Sequence, residues 1–177
     1  MNDVRAGAIA AEYLITQGHK AIAGIFKMDD GQGPRRYEGY ARALLKHDMH
    51  LRDEQVVWID SEQQKDLSQS AEMIVNRLKD CSACVCYNDE VAYSLIKILV
   101  ERGIRVPEDM SIVSIDNSDL CVLSQVQLTS VEHPMEKLGK KVAEQFLQML
   151  ENANQDVTYE FQPEIVVRDS VCRYYEA

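Results

Sequence analysis

The chain has 177 residues, of which 46% are hydrophobic, and a formal net charge of −10 at pH 7. This length and composition suffice for one substantial hydrophobic core, which excludes a disordered tail. The negative charge excludes a nucleic-acid footprint on this surface, and no apolar run reaches the roughly 18 residues that a transmembrane helix needs.

The first predicted elements are a helix, a strand and a second helix. The first helix stops near Gly18, a strand covers residues 21–26, and the polar, glycine-rich loop 27–34 leads into the next helix. Apolar residues spaced three or four apart are typical of helices with one buried face. The inward-facing residues predicted for the two helices are Ala6, Ile9, Ala10, Tyr13 and Leu14, then Tyr37, Tyr40, Ala41, Leu44 and Leu45.

Two further strand and helix units follow in the same phase. A strand at 55–59 and a loop at 60–65 precede the third helix, and a strand at 83–87 precedes a fourth helix that stops at Gly103. This alternation indicates βαβ units around a parallel sheet. The inward residues predicted for these helices are Leu67, Ala71, Ile74, Val75 and Leu78, then Val91, Leu95, Ile98 and Leu99.

The last part of the chain departs from this alternation. A strand at 111–115 runs into the polar stretch 116–119, and a short strand at 128–131 precedes Pro134, a residue favoured in the first turn of a helix. The predicted closing strand ends in Ile165, Val166 and Val167, and the apolar stripe of the helix before it consists of Met135, Leu138, Val142, Phe146 and Leu150. We therefore expect an α/β fold, a parallel sheet flanked by helices.

Polar residues follow three of the predicted strands. Ligands of open parallel sheets bind beyond the carboxyl ends of the strands, where crossover helices begin with free amides. Arginine, aspartate and asparagine offer paired donors and acceptors that suit the vicinal hydroxyls of a sugar. The polar residues in these positions are Arg35, Arg36, Asn88, Asp89, Asp116 and Asn117. The sequence predicts a ligand site formed by these three loops.

Each of these residues also has a simpler interpretation. An aspartate or asparagine directly after a strand is often only a helix N-cap, which applies to Asn88, Asp89 and Asp116. Arg36 taken alone is typical of a solvated helix position, and the run from Met28 to Asp30 is typical of a hydrophilic turn. The coincidence of three loops favours the site.

The cysteines favour core packing. Cys81 and Cys84 have the C-x-x-C spacing of a redox pair or half a zinc site, but no second ligand pair follows at a suitable distance. Cys84 and Cys86 share one face of a predicted strand, where a free thiol behaves as a small hydrophobe. The odd total of five indicates reduced thiols in a cytoplasmic protein.

No pattern of catalytic or cofactor-binding residues emerges. The four histidines are His19, His47, His50 and His133, and none has the spacing of a zinc helix. Glycine-rich phosphate loops and a nucleophile with its base are also absent from the sequence. We therefore expect no enzymatic activity, no cofactor and no metal. An enzyme of doubly wound fold, with Asp89 and Asp116 as phosphoacceptor or hydrolytic carboxylates, is the open alternative.

Taken in order, the motifs resemble the effector domains of the LacI/GalR family, which share the periplasmic sugar-binding fold. The matching segments are Gly18-His19-Lys20, Arg36 to Tyr40, Asn88-Asp89, Val106 to Ser111, Ile115-Asp116-Asn117 and Leu128 to Val131. The sequence departs from the family pattern at Asn117, where aspartate is common, and at Ser130, where threonine is common. Neither departure removes a residue of the predicted site.

The resemblance implies a sugar effector held by Arg36, Asn88 and Asp116. Loop 24–33 is similar to that of arabinose-responsive members, whose effector is L-arabinose and whose DNA-binding head is a GntR-type winged helix. From that loop we add Lys27 as a ligand residue. We add His133 because it lies beside the expected crossover to a second lobe.

The resemblance also implies a division into lobes. We expect a partial N-terminal lobe helix at 1–20, the C-terminal lobe at 21–127, a return segment to the N-terminal lobe at 128–155, and a closing strand with a tail at 156–177. In the family a comparable length of chain precedes this region. Half of the ligand cleft would then be missing here, and the sugar affinity would be weakened.

The mechanism implied is linkage between sugar and DNA binding in a cytoplasmic repressor. Sugar favours the closed lobes, which changes the spacing of the DNA heads in a homodimer and lowers its DNA affinity. DNA would be contacted only through a head outside this chain, and no membrane contact is expected. The dimer would form through the C-terminal lobe, at residues 90–102 and 120–123. The alternative is a periplasmic sugar receptor of an uptake system.

Overall fold

A single six-stranded sheet forms the centre of the computed structural model, which describes residues 2–151 and 158–175. The strands are β1 (Ile22–Lys27), β2 (Val56–Ile59), β3 (Ala83–Cys86), β4 (Ser111–Asp116), β5 (Thr129–Glu132) and β6 (Ile165–Val166). Their order across the sheet is β2-β1-β3-β4-β5-β6. The first five strands are parallel, and β6 pairs antiparallel with β5. The predicted parallel α/β sheet is confirmed.

Helices cover both faces of this sheet. They are α1 (Asp3–Thr16), α2 (Gly33–Lys46), α3 (Ser61–Lys65), α4 (Ala71–Leu78), α5 (Asp89–Glu101), α6 (Leu120–Leu123) and α7 (Met135–Glu151), with single 3₁₀ turns at Asp53–Gln55 and Leu67–Ser70. Alternate residues of β1 divide the core, because Phe26 packs with α1 and α2 whereas Ile25 packs with α4 and α5. No helix in the described ranges is long and apolar enough to cross a bilayer.

Helix α1 packs against α2 and one face of the sheet. Ala6, Ala10 and Leu14 are completely buried in the core formed with Phe26. Helices α1 and α2 cross closely, since a Cβ atom at Gly7 would lie 1.9 Å from the carbonyl oxygen of Arg36. The division into lobes stays a prediction.

Three local predictions from the sequence were wrong. Residues 60–65, expected to be a loop, contain α3, because Asp60 and Gln63 form a reciprocal capping box at its start. Leu45 is 61% exposed, since it lies a quarter turn beyond the inward Leu44. The closing segment was predicted to run from Tyr159 to Arg168, but strand β6 has only two residues; Pro163, just ahead of it, has no amide to pair.

The other predicted elements are confirmed, with two details. Helix α1 is followed by Gly18 at φ +95°, and α5 by Gly103 at φ +73°, conformations that favour glycine. Helix α7 forms where predicted, but its stripe is not covered, because Val142, Phe146 and Leu150 are 55%, 60% and 70% exposed.

The cysteines pack as predicted. All five are free thiols, and Cys84 and Cys86 are fully buried on the α4 and α5 side of the sheet. Burial raises the pKa of the Cys81 thiol to about 12, so it is protonated at neutral pH.

Candidate functional site

Arg36 lies in the second turn of α2 with its guanidinium enclosed by three acceptors from distant parts of the chain. Its Nε donates to Asp3 Oδ1 at 3.0 Å, its Nη1 to the Tyr87 carbonyl at 2.6 Å, and its Nη2 to Asp116 Oδ1 at 2.9 Å. Only 1% of Arg36 is exposed, so the solvated-helix interpretation is wrong. Arg36 connects α1, the end of β3 and the end of β4.

The charge of Arg36 is maintained despite its burial. Burial by itself lowers the pKa of the guanidinium, but the carboxylates of Asp116 and Asp3 outweigh that effect and the net shift is upward. The guanidinium also lies 4.9 Å from the centre of the Tyr87 ring, within range of a cation–π contact. The site therefore contains a fixed positive charge behind its carboxylates.

Asp116 ends β4 and faces both Arg36 and solvent. Its φ of +118° is rarely adopted by a residue with a Cβ atom, and Asn117 follows at +53°. One third of the Asp116 side chain is exposed. Burial raises the pKa of its carboxyl group, against the opposite effects of Arg36 and His133. Asp116 is thus an acceptor oriented by the protein and open to a ligand.

Asn88 is the N-cap of α5, as its simpler interpretation predicted. Its Oδ1 accepts a hydrogen bond from the Val91 amide at 3.0 Å. The residue before it is Tyr87, whose carbonyl accepts from Arg36, so Asn88 follows directly on the Arg36 network. The structure therefore brings Arg36, Asn88 and Asp116 to one edge of the sheet; sugar binding by them stays a prediction.

Lys27 and His133 lie on either side of this network. Lys27 ends β1, and its Nζ is 3.6 Å from Asp30 Oδ2 and 3.8 Å from Asp29 Oδ1. The His133 amide donates to the Asp116 carbonyl at 3.2 Å. Both positions are at the carboxyl ends of strands, where the sequence places the site.

An open cleft of about 760 Å³ lies over the ends of β4 and β5. It contains two of the five predicted site residues, Asp116 and His133. In the described part of the chain, Arg36, Asn88 and Lys27 lie outside its lining. The lining residues are Gln32, Asp116, Asn117, Ser118, Asp119, Glu132, His133, Pro134 and Lys137. Three carboxylates against one lysine disfavour an anionic ligand and provide hydrogen-bond acceptors for hydroxyl groups.

Asp30 and Tyr87 are parts of the site that the sequence reasoning missed. Asp30 Oδ1 accepts from the Gln32 and Gly33 amides, at 2.9 and 2.8 Å, and its Oδ2 accepts from the Tyr87 hydroxyl at 2.5 Å. Burial and the neighbouring Asp30 raise the pKa of that hydroxyl, so it stays a donor. The interpretation of residues 28–30 as only a hydrophilic turn was incomplete. An aspartate three residues before Gly33 was the available signal.

Asp89 is not the free carboxylate that the enzyme alternative requires. Only 2% of it is exposed, and its oxygens accept hydrogen bonds from Ser114, Ser118 and Ser130. The described residues contain no group of three or more metal-ligating side chains.

Comparison with known proteins places this geometry among bacterial regulators. Residues 11–171 match the periplasmic binding protein-like domain family. An arabinose metabolism transcriptional repressor of Geobacillus stearothermophilus is 34% identical over 175 residues, covering 96% of this chain and 48% of that protein. A PurR-named HTH-type transcriptional repressor of Vibrio atlanticus is 32% identical over 173 residues, covering 96% and 51%.

Among solved structures, a sugar-binding transcriptional regulator of the LacI family from Escherichia coli, complexed with phosphate, superimposes with a TM-score of 0.87. It is 26% identical, and the match covers 98% of this chain and 62% of that one. The chain spans about half the length of the curated relatives it matches. These relatives are transcriptional regulators rather than enzymes.

Proposed function

The chain belongs to the periplasmic binding protein-like domain family, and on that basis we propose that it is the sugar-binding effector domain of a transcriptional repressor. The observation that carries this proposal is the convergence of Arg36, Asn88 and Asp116 at the carboxyl edge of the sheet. That edge is where open parallel sheets bind their ligands. The cleft beside it is lined mainly by polar side chains.

The exposed side of Asp116 is the principal sugar contact in this proposal. Its carboxylate can accept hydrogen bonds from two adjacent hydroxyls while Arg36 holds its other side. Arg36 is fully enclosed, so its main role would be to orient Asp116. The Asn88 oxygen is used in the helix cap, which leaves its amide group as the donor toward a sugar. Lys27 and His133 would contact the sugar from the two sides of the Arg36 network.

We infer that the sugar is L-arabinose. The arabinose metabolism repressor of Geobacillus stearothermophilus is more similar in sequence than the PurR-named repressor of Vibrio atlanticus. An uncharged pentose also suits a cleft in which Asp116, Asp119 and Glu132 face only one lysine.

The proposed mechanism is negative linkage between sugar and DNA in the cytoplasm. Sugar that binds one lobe arrangement more tightly shifts the protein toward it, and a DNA-binding head outside this chain would read the change. A homodimer formed through α5 and α6 would transmit the change in lobe arrangement to the DNA-binding heads. Val100, Val122 and Leu123 on these helices are 44%, 53% and 71% exposed, which provides an apolar surface for a second copy.

Titration calorimetry of the chain with L-arabinose, D-ribose and D-glucose tests this proposal. We expect heat of binding from L-arabinose, and its loss in an Asp116→Asn variant, which keeps the shape but weakens the acceptor. Asp80→Asn is the matched control, because Asp80 is exposed and far from this edge. Binding of none of the three sugars, or arabinose binding unaffected by Asp116→Asn, would show the assignment to be wrong.

A further inference from the structure

A buried carboxylate connects three segments behind the sugar site. Asp89 Oδ1 accepts from the hydroxyls of Ser114 and Ser130, at 2.6 and 2.7 Å. Its Oδ2 accepts from the Ser118 amide at 2.6 Å. Ser114 is in β4, Ser130 is in β5, and Ser118 lies in the turn after β4. One side chain at the start of α5 thus fixes the two strands and the turn that surround Asp116.

The turn held by Asp89 has an unfavourable backbone. Asp116 and Asn117 both have positive φ, at +118° and +53°, which costs free energy for residues with a Cβ atom. Ser130 Oγ, besides donating to Asp89, accepts from the Asn117 amide at 3.0 Å. Such a conformation persists only where surrounding contacts compensate for it.

We propose that Asp89 is a positioning residue for the sugar site, which holds the turn at 116–118 so that Asp116 faces both Arg36 and the cleft. The consequence for sugar affinity rests on the proposed function, whereas the consequence for the turn does not. Asp89 itself does not contact the ligand, because only 2% of it is exposed.

The chemistry of the three donors requires a carboxylate at this position. An ionised aspartate accepts on both oxygens, so it can satisfy two hydroxyls and an amide together. An asparagine would place an NH₂ group toward either the Ser118 amide or the two hydroxyls. The Ser118 amide cannot reverse its role, and an NH₂ group facing the two serines would leave their O–H groups without the carboxylate oxygen that now accepts from them. Asp89→Asn therefore introduces a mismatch with very little change in size.

Hydrogen exchange followed by NMR tests the positioning role in the 177-residue chain. In Asp89→Asn we expect the Asn117 and Ser118 amides to exchange about tenfold faster. The Ser118 amide loses its bond to a carboxylate, and the Asn117 amide donates to Ser130 Oγ, which Asp89 no longer orients. Amides of β1 should exchange as in the unsubstituted chain, and Asp80→Asn should change neither set. Equal acceleration at β1 would indicate general destabilisation, and unchanged exchange at the turn would likewise refute the proposal.

If Asp89→Asn does not fold, variants of Ser114 and Ser130 provide a second test. Ser114 and Ser130 both donate to Asp89, but only Ser130 also accepts from Asn117. We expect Ser130→Ala to accelerate exchange of the Asn117 amide more than Ser114→Ala does. Ser130→Thr, which keeps the hydroxyl, should leave exchange of the Asn117 amide slow. Equal effects of the two alanine variants on Asn117 would contradict the proposal.

Arabinose titration of the same variants separates the two proposals. If the unsubstituted chain binds L-arabinose, Asp89→Asn or Ser130→Ala should weaken binding by about tenfold while Asp80→Asn leaves it unchanged. If the unsubstituted chain binds no aldose, the proposed function fails, but the exchange measurements still decide whether Asp89 positions the turn. Normal affinity in a variant with a loosened turn would refute the link between them.

Discussion

The guanidinium of Arg36 donates to Asp116 across 2.9 Å, although the two residues are 80 positions apart in the chain. Arg36 comes from the helix after β1 and Asp116 from the end of β4, so the pair exists only when β1, β3 and β4 lie side by side.

Removal of the Arg36 charge should destabilise the fold. Arg36→Met leaves Asp3 and Asp116 without their cation and the Tyr87 carbonyl without its donor. Leaving one side of a buried ion pair uncompensated typically costs about 3–5 kcal/mol. Urea unfolding should show a loss of this size, whereas Arg42→Met, at an exposed ion pair, should cost below about 1 kcal/mol. Similar losses of stability in Arg36→Met and Arg42→Met would contradict a stabilising role for the buried hydrogen bonds of Arg36.

Two helical glycines should respond in opposite ways to alanine. At Gly7 the new Cβ would lie 1.9 Å from the Arg36 carbonyl oxygen, so α1 and α2 would have to separate. We expect Gly7→Ala to lower the free energy of unfolding by at least about 1–3 kcal/mol. At Gly139 in α7, such a Cβ would meet no described atom within 4 Å beyond its chain neighbours and the backbone of its own helix. Gly139→Ala should therefore not destabilise the chain, and circular dichroism should show equal or higher helix content. If Gly7→Ala did not lower the free energy of unfolding, α1 and α2 would have to cross less closely than in this structure.

The stability of the chain should fall as the pH drops, because of His19. This residue is 2% exposed, with Nδ1 2.8 Å from Ser82 Oγ and Nε2 3.2 Å from the Cys172 carbonyl. Burial lowers the pKa of the imidazole, and the Cys172 carbonyl only partly opposes this shift. The unfolded chain therefore binds a proton below about pH 6.5, where the folded chain does not yet bind one.

Stability contributed by neutral His19 should thus be fully present above pH 6.5 and fall as the pH drops from there toward the folded pKa. Urea midpoints measured at pH 7.5 and 5.5 should differ less in His19→Gln than in the unsubstituted chain. His47→Gln, at an exposed position, should leave the difference unchanged. The same pH response in His19→Gln would mean that another group is responsible.

The proposed dimer should depend on the exposed apolar residues of α6. Leu123 is 71% exposed, so Leu123→Arg should not affect the stability of the monomer. It would place a charge in the centre of the proposed interface and shift the sedimentation coefficient from dimer to monomer. Leu45→Arg, at 61% exposure on α2, is the matched control and should leave the association state unchanged. A chain that is monomeric before substitution would rule out this interface.

Sequence reasoning located the site better than it described the contacts within it. Asn88 and Asp116 could be placed at strand ends because each directly follows a short apolar run, Ala83 to Tyr87 and Ser111 to Ile115, which is a local signal. Leu45 was misassigned because the position of a residue on a helix surface is accurate only to a fraction of a turn. The capping box of α3 is also local, and Asp60 with Gln63 could have revealed it.

The sequence by itself determined which segments become strands and helices, since hydrophobic period, caps and positive-φ glycines act over a few residues. It also placed Arg36, Asn88 and Asp116 at one edge, because parallel strands end on the same side. Only the tertiary structure decided that Arg36 is enclosed and that Asp89 faces Ser114 and Ser130. Those partners lie 25 to 80 positions away, and bonds over such separations depend on how strands pair and helices cross, which no local pattern records.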